Sequence, residues 1–124
     1  MGRRVRSIAT LMVLLMAIAS APATLADETS FTHLLGKDIR SRVIGKTVTD
    51  GAHWSDTFDK SGVLISWSQG RKGTGTWEIR GDELCIAEAA GADATCYQVW
   101  VARDEISLRL DGVDSTFTGY LRNP

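Results

Sequence analysis

Cys85 and Cys96 are the only cysteines of this chain, and the ten residues between them limit the chemistry they can do. A thiol oxidoreductase needs the Cys-x-x-Cys spacing, and a zinc site needs further Cys or His ligands close by; neither is present. Both residues fall opposite Leu84, Ile86, Tyr97 and Val99 on consecutive strand-like segments, so a hairpin would set them side by side. The expectation is a structural disulfide, which in a loop of this size is worth about 3 kcal/mol in the chain-entropy model.

Acid–base and nucleophilic chemistry find less support. His33 and His53 are the only histidines. Alternation along a strand sends His53 and Asp56 to opposite faces, which separates a general base from its nearest orienting carboxylate. No Ser stands in a Gly-x-Ser-x-Gly elbow. The carboxylates Asp59, Asp82, Glu83, Asp104, Asp111 and Asp114 are spread over turns, and their spacing singles out no facing pair of the kind a glycosidase uses. Gly45-Lys46-Thr47 resembles the end of a phosphate-binding loop, but its earlier glycine would fall at Arg40 and the segment leaves a helix instead of entering one. Gly73-Thr74-Gly75 has no helix after it, so a dinucleotide site is not supported. No catalytic residue, metal or cofactor is implied.

Binding chemistry has more to work with. Trp54, Trp67 and Trp77 come from successive apolar segments, and alternation reads all three onto one inner face. They either fill the core of a small barrel or line a cavity at its mouth. Trp100 shares the outer face with Cys96, either covered by the N-terminal helix or exposed as a contact residue. Arg71 and Lys72 form a positive spot at a predicted hairpin tip and are further candidates for ligand or partner contact.

The elements that would position these groups are mostly β. Leu35, Ile39 and Val43 recur every four positions, which predicts a helix over residues 37–43 stopped by a left-handed Gly45. Strands are predicted over 46–49, 53–59, 63–68, 74–80, 83–87, 95–102, 105–110 and 116–122, with connections mostly of hairpin length. Such a meander of seven or eight short strands best hides its edges by curling into a small barrel or strongly curved sheet. Period two assigns Trp54, Phe58, Val63, Ile65, Trp67, Trp77, Ile79, Leu84, Ile86, Tyr97, Val99, Val101, Ile106, Leu108, Leu110, Phe117 and Leu121 to the interior. It assigns Ser55, Thr57, Ser66, Ser68, Thr76, Gln98, Ser107 and Arg109 to the exterior. Gly75 and Gly119 fall on the inner face, where a missing side chain lets a sheet bend or makes room for an indole.

The N-terminus supplies the compartment. Arg3, Arg4 and Arg6 precede an apolar run of 12 residues, Ile8 to Ala19, and a small-residue end at Ala23-Thr24-Leu25-Ala26. The run is shorter than the ~20 residues that span a bilayer, so residues 1–26 read as a signal peptide cut after Ala26. No cysteine lies near the cut to carry a lipid. Residues 27–124 would then be one exported domain with no membrane span, carrying 11 basic and 15 acidic residues, a net charge of −4. That balance argues against nucleic acid as a partner, since phosphate neutralisation needs clustered Lys and Arg.

The set Gly45-Lys46-Thr47, Trp54, Phe58, Gly73-Thr74-Gly75-Thr76-Trp77-Glu78-Ile79, Gly81-Asp82-Glu83-Leu84-Cys85 and Cys96-Tyr97 resembles small exported proteobacterial proteins of an uncharacterised domain family. The resemblance implies fold and compartment and brings no catalytic residue. An exported barrel with one disulfide is more loosely similar to periplasmic inhibitors of metalloproteases and of lysozyme. The expected function is a non-catalytic binding or interaction module, periplasmic or secreted, with an unidentified protein partner; an inhibitor of an envelope hydrolase is a specific form of it. The alternative is a carrier of a small apolar ligand, held by the tryptophan cluster at a barrel mouth.

Overall fold

A computed structural model describes Gly2, residues 30–111 and residues 117–124. The segments read as an export signal lie outside the described residues. A two-residue strand β1 (Thr32–His33) leads into the helix α1 (Gly36–Arg42). Then come β2 (Thr47–Thr49), β3 (Trp54–Phe58), β4 (Val63–Ser68), β5 (Arg71–Arg80), β6 (Glu83–Ala87), β7 (Thr95–Ala102), β8 (Glu105–Arg109) and β9 (Phe117–Arg122). Each of β2 to β8 pairs antiparallel with the next, and β9 returns to pair with β2. The result is the expected all-β meander, closed into an eight-stranded up-and-down barrel. The short strand β1 continues the line of β6 along one edge of β7, opposite Val101 and Trp100.

β4, β6 and β7 occupy the predicted spans, and the helix begins one residue earlier than expected. The β4–β5 connection is tighter than predicted. Gln69 and Gly70, both at positive φ, make a two-residue turn, so Arg71 and Lys72 begin β5 instead of occupying a loop. This is the geometry that best matches the twist of a hairpin. Gly45 has the expected left-handed backbone, at φ 81°.

The core contains Val48, Phe58, Leu64, Trp77, Leu84, Ile86, Val99, Val101, Ile106 and Leu108 from the strands, with Leu34, Ile39 and Val43 beneath them. One strand departs from the expected facing. The pairing Phe58↔Leu64, Asp56↔Ser66 and Trp54↔Ser68 turns Leu64, Ser66 and Ser68 inward and Val63, Ile65 and Trp67 outward. Leu64 is 1% exposed and Trp67 48%. Residues opposite one another in a ladder share a face, so the register set by the 59–62 turn overrides side-chain size here.

α1 packs against β5 and β6 at one end of the barrel. Ile39 and Val43 are buried as predicted, whereas Leu35 is exposed and Leu34 takes its place inside. The residue at the helix N-cap, Leu35, has no side chain that can cap. The cap comes from the β5–β6 turn instead, where Asp82 Oδ1 accepts the Gly36 N–H at 2.8 Å. A Cβ on Gly36 would lie 2.3 Å from the Gly81 carbonyl oxygen, so glycine is what lets the helix seat on that turn.

Candidate functional site

The candidate site lies at the opposite end of the barrel. There the β2–β3, β4–β5 and β6–β7 connections surround a cavity of about 680 Å³ lined by residues that include Trp54, Asp56, Ser66, Arg71, Glu88 and Phe117. The closed ladder explains the arrangement. On β3 the inward positions are Trp54, Asp56 and Phe58; the last is core, and the first two stand progressively closer to the mouth. Ser66 lies opposite Asp56 on β4, and Gly73 opposite Ser66 on β5. Glu88 follows the last residue of β6, is exposed, and borders the cavity.

Glycines clear the space between the two acids. A Cβ on Gly75 would sit 2.1 Å from the Ala87 carbonyl oxygen and 2.9 Å from the Glu88 carbonyl carbon, so the end of β6 folds over β5 at this point. Gly73 likewise adds no side chain beside Ser66. Asp56 and Glu88 are thereby brought into electrostatic range. Burial pushes the Asp56 carboxyl up, the Ser66 hydroxyl partly offsets this, and the charge of Glu88 raises it further. These are the three ordinary causes of a carboxylate shift, with desolvation dominant. Tyr97 is also raised, first by burial and then by the same Glu88. Among the described residues no ion pair joins Asp56 or Glu88 to a basic side chain.

The other half of the mouth is aromatic. Trp54 meets Phe117 edge-on at 5.5 Å between ring centroids, and Phe117 meets Tyr97 edge-on at 5.9 Å. Gly119 makes room for this set, since a Cβ there would lie 3.0 Å from the Trp54 ring and 3.0 Å from the Thr49 carbonyl. The room expected beside Gly75 and Gly119 is therefore used, at Gly75 by backbone and at Gly119 by an indole. Around the ring of strands, an aromatic arc on β3, β9 and β7 faces an acidic arc running from Glu88 over the two glycines and Ser66 to Asp56.

The predicted tryptophan cluster does not form as expected. Trp54 is at the mouth. Trp77 is in the core, its indole N–H donating to the Asp59 carbonyl at 2.7 Å, which is the core-filling role. Trp67 borders the cavity from the outward face of β4 because of the register described above. Trp100 lies on the outer face and is covered by β1 instead of the helix. His33 stacks on it at 4.9 Å, and the Arg109 guanidinium lies 4.5 Å from its ring centroid. Arg71 and Lys72 are exposed at the rim.

Cys85 and Cys96 stand directly opposite on β6 and β7 and are joined as a disulfide. His53 is exposed and hydrogen-bonds through Nδ1 to Asp50 Oδ2 at 2.8 Å, and Asp56 lies on the other face as expected. Asp50 Oδ1 accepts the N–H groups of Ala52, His53 and Trp54, which holds its carboxyl well below the usual carboxylate range and fixes the turn that presents Trp54. Among the described residues there is no group of three or more metal-ligating side chains, and no helix long and apolar enough to cross a membrane.

Asp56, Ser66, Glu88 and Phe117 are among the mouth residues that sequence reasoning did not single out as site candidates. For Asp56 the signal was present: it shares its alternation with Trp54 and Phe58, and a carboxylate on an otherwise apolar face is unusual. In comparisons with protein-family models, curated proteins and solved structures, the chain matches none.

Proposed function

We propose that this protein is a non-catalytic binding module of an exported compartment, periplasmic or secreted, and that its site is the barrel mouth. The observation that carries the reading is the asymmetry of the barrel. One end is filled by the apolar core and α1, while the other keeps a cavity of about 680 Å³ with aromatic and charged walls. Small-molecule sites share this form, concave and largely apolar with a few convergent polar groups. The mixed lining favours a small amphipathic ligand over a purely apolar one. Export is supported by the Cys85–Cys96 disulfide and by the basic, apolar and small-residue order of the N-terminus.

The test is calorimetric titration of the full chain with a panel of small aromatic and aliphatic compounds, repeated on Trp54→Leu. Saturable binding of at least one compound, weakened about tenfold by Trp54→Leu, is the expected result; tenfold corresponds to ~1.4 kcal/mol. Binding that is indifferent to Trp54→Leu would move the site elsewhere. No binding across the panel would remove the small-ligand reading and leave a protein partner.

A further inference from the structure

We propose that the mouth takes a small organic cation, an amine or quaternary ammonium on a compact apolar body, its charged head between Asp56 and Glu88 and its body against Trp54 and Phe117. The inference rests on the reading of the mouth as a ligand site and names the class of ligand.

Three observations converge on positive charge. Asp56 and Glu88 line one cavity, the charge of Glu88 adds to what burial does to the Asp56 carboxyl, and among the described residues neither forms an ion pair. Asp56 is partly buried and Glu88 exposed beside it, so a cation placed between them offsets the Asp56 charge that burial disfavours while staying within reach of Glu88. The facing wall holds Trp54 and Phe117, with Tyr97 packed edge-on against Phe117, and such rings attract a cation that has shed water. The third observation is the segregation of charge. Arg71 and Lys72 border the same cavity only at the start of β5, on the rim, with no ion pair to either acid. The head of a ligand cation is therefore favoured on the acidic side of the mouth, away from the like-charged rim, and any anionic tail is favoured near Arg71 and Lys72.

A divalent metal fits less well. Hard cations of this kind take six or more oxygen ligands, or several retained waters on a dedicated carboxylate set. Here two carboxylates and one serine hydroxyl converge, beside aromatic rings that offer no ligand atoms.

The experiment uses three probes of one shape, namely phenethylamine, phenethyl alcohol and 3-phenylpropionate, titrated calorimetrically into the full chain at neutral pH. The amine is expected to bind at least about tenfold more tightly than the alcohol, and the carboxylate most weakly. The double variant Asp56→Asn/Glu88→Gln is expected to abolish that preference while still binding the alcohol. Trp54→Leu is expected to weaken both amine and alcohol, the amine more, because it removes a ring that attracts the cation as well as apolar contact. Equal binding of amine and alcohol by the wild type would overturn the cation assignment and leave the ligand site standing, as would preference for the carboxylate. An amine preference that survives the double variant would overturn the roles of Asp56 and Glu88. Failure of all three probes to bind overturns the assignment, and the broader panel then decides separately whether the mouth binds anything. Thermal denaturation of each variant confirms that it is folded, and both substitutions remove like charge from the site, so neither is expected to unfold the barrel.

Discussion

The two ends of the barrel are built on opposite principles. At the closed end polar groups are matched. Asp82 caps Gly36, the Arg42 guanidinium donates to the Arg103 carbonyl at 2.8 Å, Lys46 Nζ donates to Asn123 Oδ1, and Arg122 pairs with Asp104, whose carboxyl it holds down. At the mouth Asp56 and Glu88 are placed together with no basic side chain bonded to either among the described residues, and Asp56 is pushed up. Polar pairing supports the fold at one end, whereas at the other burial disfavours the charge of Asp56; carboxylates perturbed in this way cluster at functional sites.

Substitutions should separate the ends by sign as well as size. The largest effect belongs to the closed end: Ile39→Ala, which empties a fully buried position beneath the barrel, is expected to cost about 2–5 kcal/mol in urea denaturation. Next comes the disulfide. Replacing Cys85 and Cys96 together by Ser should remove about 3 kcal/mol, and a much smaller loss would mean that the β6–β7 hairpin is already ordered in the unfolded chain. Asp82→Ala, which takes the cap from α1, is expected to cost about 1 kcal/mol, read as a lowered urea midpoint at unchanged slope.

The smallest effect has the opposite sign, and it is the sharpest test of the comparison. Asp56→Asn should stabilise the protein by about 1 kcal/mol or less at neutral pH. The direction follows from linkage. A carboxyl whose folded pKa lies above its unfolded value binds its proton more tightly in the folded state, so the wild type recovers stability as pH falls through that raised range. The advantage of Asp56→Asn should therefore shrink between neutral pH and about pH 4. Asp104 behaves inversely. Held down by Arg122, it contributes stability above the ordinary carboxylate range that is lost as pH falls. Destabilisation by Asp56→Asn at neutral pH would erase the distinction between the two ends.

Much of the barrel was legible because hairpin meanders are written locally. Turn residues punctuate alternating runs, and each strand needs only its neighbour. The places that escaped are those where a distant part of the chain decides. Val63-Leu64-Ile65 is apolar on both faces, so its facing depends on the Phe58↔Leu64 register and not on its own pattern. β1 has two residues and exists only because β7 offers an edge beyond β6. The α1 cap arrives from Asp82, 46 positions away, and no local signal announces it. The cysteine pair was read correctly because hairpin geometry alone determines it. The mouth was half legible: Trp54, Arg71 and Lys72 were singled out, but Glu88 joins Asp56 only because β6 folds over Gly75.

The seam between β2 and β9 also bears on how the barrel forms. Seven of the eight barrel contacts join strands adjacent in sequence, but the eighth brings Thr47 to Arg122, the last residue of the last strand. Local hairpins can form in microseconds, whereas a pairing between distant segments must first meet the entropy of closing the long loop between them. β2 is only three residues long. A chain emerging from its N-terminus therefore holds an open, curling ribbon until Phe117–Arg122 arrives, and the final strand acts as the latch that makes the mouth a cavity.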